Sequence, residues 1–388
     1  MKAFVNAKLV FENEVRPGTI LVENGKIMAS GDVLVPEGAE VIDVDGAYIG
    51  PGLVDIHNHG YLNIKTHEAY TAMQDPISMA RCHLRSGTTS ITPSVSYANT
   101  YETMAHCVSE CRKAMAEGNT TIVGVHFEGP FTNPAFGSNA EAAWTYSAET
   151  AKKVLDMAGD TLLHCTYAPE MPGAQEWEDE LARRGIVMDL GHTAMKIEDL
   201  ERAVSKGAKN ITHLFDAMGC YINPTGSFRI QEASSLAALS IPGLYYELIC
   251  DSRGVHVKPH AARLALRVAG EDYIILVTDA TAKTVDHDPS KYPPEDMKSA
   301  VDLNFNERGQ LSGSRLILRD ACANFMKFTN SDVRVAFKCA STNPAKLLKL
   351  DDRIGSILPG RDANLLVVDE NFKVLDVYFR GEKVLDRE

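Results

Sequence analysis

Residues 51–60 read Pro51-Gly52-Leu53-Val54-Asp55-Ile56-His57-Asn58-His59-Gly60. The apolar run 53–56 passes straight into two histidines, with a glycine on either side of the whole. Its length suits a buried strand and falls well short of a helix. The same design recurs along the chain. Further strand candidates fall at 88–95, 122–127, 162–167, 186–190, 210–214, 245–250 and 273–278. Helical segments lie between most of them. In 100–117, Met104, Cys107, Val108, Cys111 and Met115 recur at helical spacing, with Gly118 as a stop. Ser147 caps a second helix that Gly159 ends, and segments 197–206 and 260–269 run into Gly207 and Gly270.

Eight strands alternating with helices over 51–344 predict an α/β protein, a (β/α)8 TIM barrel. A doubly wound open sheet is usually built from fewer parallel strands. Both ends of the chain differ from this middle. Residues 1–50 read as short strands, with Asn24-Gly25 as a two-residue hairpin turn. Residues 352–388 resume that pattern. The economical expectation is a small β-sandwich domain built from 1–50 plus 345–388, beside a TIM-barrel domain at 51–344. The Pro-rich, charged stretch 283–298 reads as a long loop after the eighth strand.

Composition sets limits on function. The 388 residues are 45% hydrophobic and 23% charged, ordinary globular values that exclude disorder as the main state. The net charge of −13 and the lack of a long Lys/Arg run argue against nucleic acid as partner. No run of 18 apolar residues exists to span a membrane, and 1–10 has no apolar signal core. The eight cysteines include no Cys-x-x-Cys pair. Reduced, mostly buried thiols in a cytoplasmic protein are expected.

Ionisable residues gather where the strands end. His57 and His59 close the first strand, His126 and Glu128 the third, and His192 follows the fifth. His213 lies in the sixth, Asp251 and His256 follow the seventh, and Asp279 ends the eighth. Any one of these is weak evidence, since a lone histidine at a strand end is more often structural. Their common register is the signal, because active groups of this barrel sit at the strand C-termini. Neutral imidazoles with a carboxylate suit a borderline divalent ion: zinc first, with iron, nickel, cobalt or manganese as alternatives.

The 51–60 segment resembles the strand-one signature of the amidohydrolase superfamily. More narrowly, several segments resemble the N-acetylglucosamine-6-phosphate deacetylase family. These are His126-Phe127-Glu128-Gly129-Pro130-Phe131, Gly191-His192-Thr193-Ala194, Thr212-His213-Leu214-Phe215-Asp216-Ala217-Met218 and Val277-Thr278-Asp279-Ala280-Thr281. Leu311-Ser312-Gly313-Ser314 and the segment 355–365 resemble that family's later motifs. The resemblance implies a metal held by Glu128, His192 and His213, with His57 and His59 available to a second ion. It implies Asp279 as the group that takes a proton from water and returns it to the leaving amine. Substrate contacts are implied at His256, Asp216, Ala217, Arg229, Asn139 and Arg253. The implied reaction removes acetyl from N-acetylglucosamine 6-phosphate, in a homodimer whose active-site arginine crosses the interface.

The substrate positions depart from the family pattern. Gly137-Ser138-Asn139 stands where a histidine-bearing segment is expected, and Asp216 stands in place of an asparagine. Arg229, Arg253 and His256 are the candidate cations for a phosphate, and two extra residues separate Asp251 from His256. The alternatives are deacetylation of another N-acetyl sugar or acyl amide, and a non-catalytic scaffold. Glu128 at the third strand argues against a cyclic amidase with a carboxylated lysine there.

Overall fold

The computed structural model describes residues 1–63, 68–96, 100–137, 142–222, 228–229, 233–282, 301–306 and 308–384. Its centre is an eight-stranded parallel sheet. The strands are β1 (Leu53–Asn58), β2 (Thr88–Ser96), β3 (Val125–Glu128), β4 (Leu162–Tyr167), β5 (Val187–Leu190), β6 (Asn210–Ile211), β7 (Tyr245–Leu248) and β8 (Ile274–Leu276). They pair in chain order from β1 to β8. A bridge between Asn58 and Ala280 and a 2.8 Å hydrogen bond from Asp279 N to His57 O draw the ends together. The barrel expected from the sequence is present, and all eight strand candidates take part in it.

Helices follow the strands in turn: α1 (Pro76–Arg85), α2 (Tyr101–Glu117), α3 (Ala148–Ala158), α4 (Ala174–Arg184), α5 (Ile197–Lys206), α6 (Ser234–Ser240), α7 (Pro259–Ala269) and α8 (Leu318–Thr329). The boundary signals act as their chemistry requires. Thr100 and Ser147 accept hydrogen bonds from the backbone of the first turns of α2 and α3, and Gly118 closes α2 in the left-handed conformation. The segment 210–214 pairs only over β6, because His213, with φ 28°, turns the chain out of the ladder. After β8 a hairpin of Leu303–Phe305 and Leu311–Ser314 precedes α8. The loop expected at 283–298 lies outside the described residues.

Strands from both chain ends form one further sheet. In order they are Glu382–Lys383, Val374–Phe379, Leu365–Val368, Tyr48–Pro51, Lys2–Val10, Val15–Glu23 and Lys26–Gly31, with Glu40–Asp43 also on Lys2–Val10. Asn24 (φ 51°) and Gly25 (φ 75°) make the tight turn between two of these strands. The sheet folds back on itself where Ile27 exchanges backbone hydrogen bonds with Gly360 and Arg361. Phe4, Leu9, Ile20, Ile27, Ile49, Leu365, Val367 and Tyr378 fill its interior. Leu365–Val368 shows why one strand can be wholly apolar. Leu365 and Val367 face that interior, while Leu366 and Val368 join the barrel core. Both faces are buried, so no polar alternation is needed. Each such side chain contributes roughly 1.5–3 kcal/mol of burial, which seats the sheet against the barrel.

Candidate metal centre and cavity

Glu128, the last residue of β3, is 5% exposed and stands at the centre of the strand C-termini. Its Oε1 lies 2.8 Å from His192 Nε2, 3.2 Å from His213 Nε2 and 3.4 Å from His57 Nε2. Its Oε2 lies 3.2 Å from His59 Nε2. Asp279 Oδ1 approaches the same cluster, 3.4 Å from His59 Nε2 and 3.7 Å from His57 Nε2. Six residues from five separate stretches of the sequence thus meet within one small volume.

All four imidazoles point the same way. Each turns Nε2 inward, and each Nδ1 meets an acceptor outside the cluster. His59 Nδ1 donates to Ser94 O (3.1 Å), His192 Nδ1 to Phe136 O (3.0 Å) and His213 Nδ1 to Asp216 O (3.2 Å). His57 Nδ1 donates to the Glu247 carboxylate at 3.0 Å. An acceptor at Nδ1 places the proton there and leaves a lone pair on Nε2 facing the centre, as metal-ligating histidines require. Two overlapping sets, His57/His59/Glu128 and Glu128/His192/His213, each bring three donor atoms within 4.8 Å of one another. The donor set and its tautomers fit one or two borderline divalent ions, with Glu128 shared between them.

Charge tells the same story. Burial opposes ionisation of Glu128, yet the His192 and His59 imidazoles hold its carboxyl well below the usual range. Burial likewise disfavours the His213 imidazolium, but Glu128 outweighs it and lifts the group to about 9. His57 is held well above its ordinary value against burial by Glu128 and Glu247. Protons and a divalent ion therefore compete for the same lone pairs.

The local backbone is strained where the donors sit. His192, His213, Phe215, Ala217 and Asp279 all have positive φ. Non-glycine residues adopt this conformation at a cost, and they cluster at functional sites. Neighbouring groups hold them there. Glu170 accepts from Ala194 N (2.6 Å) and Thr193 Oγ1 (2.5 Å) beside His192. The hairpin after β8 holds Asp279, since Ser314 N donates to Asp279 O at 2.8 Å and Ser314 Oγ to Thr278 O at 2.6 Å.

A cavity of about 860 Å³ opens over the cluster. Its lining includes His59, Glu128, His192, His213, Asp279, Asp216, Ala217 and His256. The described lining residues include no lysine or arginine. Burial pushes the Asp216 carboxyl up to about 6, partly offset by His256 and His213. Asp216 Oδ2 and His256 Nε2 are both buried without a hydrogen-bond partner among the described residues. The two extra residues before His256 are taken up by a turn around Asp251, whose carboxylate accepts from the backbone N–H of Arg253, Val255 and His256. That turn sends Arg253 elsewhere. It lines a separate depression with Ser252, Pro259, Lys327 and Phe328. Arg229 lies in a short hairpin, where it pairs with Tyr221. Asn139 lies outside the described residues.

Sequence reasoning passed over Glu247 and Glu170. Glu247 sits inside β7 with no motif around it. Glu170, in Ala168-Pro169-Glu170, carried no metal-ligand spacing. A buried carboxylate in an otherwise apolar strand was the available signal for Glu247.

The closed barrel with imidazoles and carboxylates converging at its strand C-termini defines the class of metal-dependent barrel hydrolases. Residues 48–384 match the model of the Amidohydrolase family, and the chain belongs to that family. The resemblance read from the strand-end motifs is borne out at this level. The chain is 29% identical to an N-acetylglucosamine-6-phosphate deacetylase of Bacillus subtilis, over 96% of this chain and 94% of the relative. It is 29% identical to one of Bos taurus, over 98% and 95%. Its fold resembles the crystal structure of such a deacetylase from Pasteurella multocida, with a TM-score of 0.83 and 27% identity over 99% of this chain and 100% of that one.

Proposed function

We propose that the protein removes the acetyl group of N-acetylglucosamine 6-phosphate, giving acetate and glucosamine 6-phosphate. The observation that carries this reading is Asp279 Oδ1 held 3.4 Å from His59 Nε2 at the edge of the Glu128 cluster, facing the cavity. The full-length similarity to deacetylases supports it. Glu128, His192 and His213 would hold a first ion, and His57 and His59, with Glu128, a second; zinc is the first choice. A bound divalent ion supplies Lewis-acid polarisation of the amide carbonyl and makes a neighbouring water more acidic. In this reading Asp279 takes the proton of the attacking water and delivers it to the amide nitrogen as the C–N bond breaks. Asp216 and His256 offer the sugar two buried polar atoms.

One observation favours a second reading. The described lining offers no lysine or arginine to a phosphate and places Asp216 in the wall. A carboxylate there repels a phosphate unless a cation offsets it. An unphosphorylated N-acetyl sugar fits that wall better. Acetate release from paired N-acetyl sugars, with and without 6-phosphate, separates the two. A higher kcat/KM for the phosphorylated sugar supports the first reading, and the reverse order replaces it with the second.

We also propose a homodimer in which Arg229 of a second copy supplies the arginine that the described lining lacks. Light scattering at micromolar concentration tests it, and a monomer mass rejects it. No described helix is long and apolar enough to cross a membrane. All eight cysteines are free, which supports the cytoplasm as the working compartment.

A further inference from the structure

Glu247 does not line the cavity and offers no atom to either donor set, yet it touches both halves of the cluster. It is 0% exposed, on β7. Its Oε2 accepts from His57 Nδ1 at 3.0 Å and from the backbone N–H of His213 at 3.2 Å. Its Oε1 accepts from Asn210 Nδ2 at 2.6 Å. One carboxylate thus joins β1, β6 and β7 directly beneath the cluster.

Among the four imidazoles, His57 is the one whose Nδ1 meets a carboxylate; the other three meet backbone carbonyls. The difference matters because a carboxylate partner makes the far nitrogen a better donor than a carbonyl partner does. The second contact matters as well. His213 has φ 28°, and its N–H is held at that turn by the same Oε2. A buried carboxylate is costly to dehydrate, and three donors are what make it tolerable. Packing alone gives no reason for it, since an apolar side chain would fill the same space at less cost.

We propose that Glu247 is a positioning residue that sets how tightly the His57/His59/Glu128 half of the centre binds a divalent ion. It acts by fixing the His57 tautomer, strengthening its inward nitrogen and tying it to the His213 turn. This inference rests on the metal-centre reading and is independent of which amide is hydrolysed.

Two variants divide charge from shape. In Glu247→Gln the side-chain oxygen can keep the Oε2 contacts. Its amide can then donate to Asn210, whose Oδ1 has no partner among the described residues and becomes an acceptor on rotation of that side chain. Glu247→Ala removes everything. The full-length protein is stripped and titrated with zinc against a competing chelator, and the visible spectrum is recorded after cobalt loading. We expect wild type to take two ions per protomer. We expect Glu247→Gln to weaken one of them about 10-fold and Glu247→Ala about 100-fold, the range seen for such outer partners, with a changed cobalt spectrum. In a His57→Ala background Glu247→Gln should have no further effect on ion affinity. Two wild-type affinities in the folded Gln variant overturn the proposal, as does one ion in wild type. A full Glu247→Gln effect in the absence of His57 also overturns it. No substrate enters the titration, so an unexpected substrate leaves the test intact.

Discussion

Asp279 and Asp216 separate chemistry from recognition at the level of single side chains. Asp279 touches the cluster through one oxygen, so Asp279→Asn keeps the shape and removes the proton acceptor. Turnover should fall by about 10²–10⁴-fold, while metal content measured by mass spectrometry stays at the wild-type level. Activity near wild type would take the proton-transfer role from this residue. Asp216 touches no donor histidine with its carboxylate; its backbone oxygen accepts from His213 Nδ1. Asp216→Asn should therefore leave metal content unchanged. It should raise kcat/KM for a 6-phosphorylated substrate relative to its unphosphorylated partner, because a negative charge leaves the wall. An unchanged ratio would show that the phosphate lies far from this carboxylate.

At the level of elements, the junction between β1 and β8 sets His57 beside Asp279. Asp55 Oδ2 accepts from Thr278 Oγ1 at 2.7 Å, and Oδ1 accepts weakly from the backbone N–H of His57 and Thr278. Burial pushes the Asp55 carboxyl up to about 7 against these bonds. Asp55→Ala leaves buried donors unsatisfied at the seam. It should cost about 1–3 kcal/mol, read as a lower urea midpoint; an unchanged midpoint would show that the seam does not depend on this clasp. The hairpin after β8 makes a sharper case. Gly313 has φ 58°, and an added Cβ would lie 2.5 Å from Asp279 O. Gly313→Ala must displace the Asp279 backbone or strain its own. We expect kcat to drop with little change in the amount of metal bound. A variant with wild-type kcat would show that Asp279 tolerates the shift. The motif Leu311-Ser312-Gly313-Ser314 was legible in the sequence as a pattern. Its reason was not, because the contact that requires glycine comes from residue 279.

For the whole molecule, the centre links stability to pH and to metal. His213 rises from 6.5 to about 9 in the folded metal-free protein. The folded state binds the extra proton, so this contribution is fully present below pH 6.5 and lost as pH rises through about 9. Metal affinity moves the opposite way, because the same imidazoles must be neutral to bind an ion. The gap in melting temperature between zinc-loaded and chelator-treated protein should widen from pH 6.5 to 9. A gap that narrows over that interval would contradict the proton–metal competition.

Local patterning was enough for the alternation of strands and helices, the caps Thr100, Ser147 and Gly118, the Asn24-Gly25 turn, and the strand-end positions of His57, His59, Glu128, His192, His213 and Asp279. These follow from periodicity and turn chemistry, which act between near neighbours. Long-range closure decided the rest. It brought Glu128 within reach of four imidazoles, and it put Glu247 behind His57 from a strand with no motif of its own. It also turned Arg253 out of the cavity through the Asp251 loop. A side chain's partners across a barrel depend on register and strand order, and a linear sequence expresses those only through the packing of the whole chain.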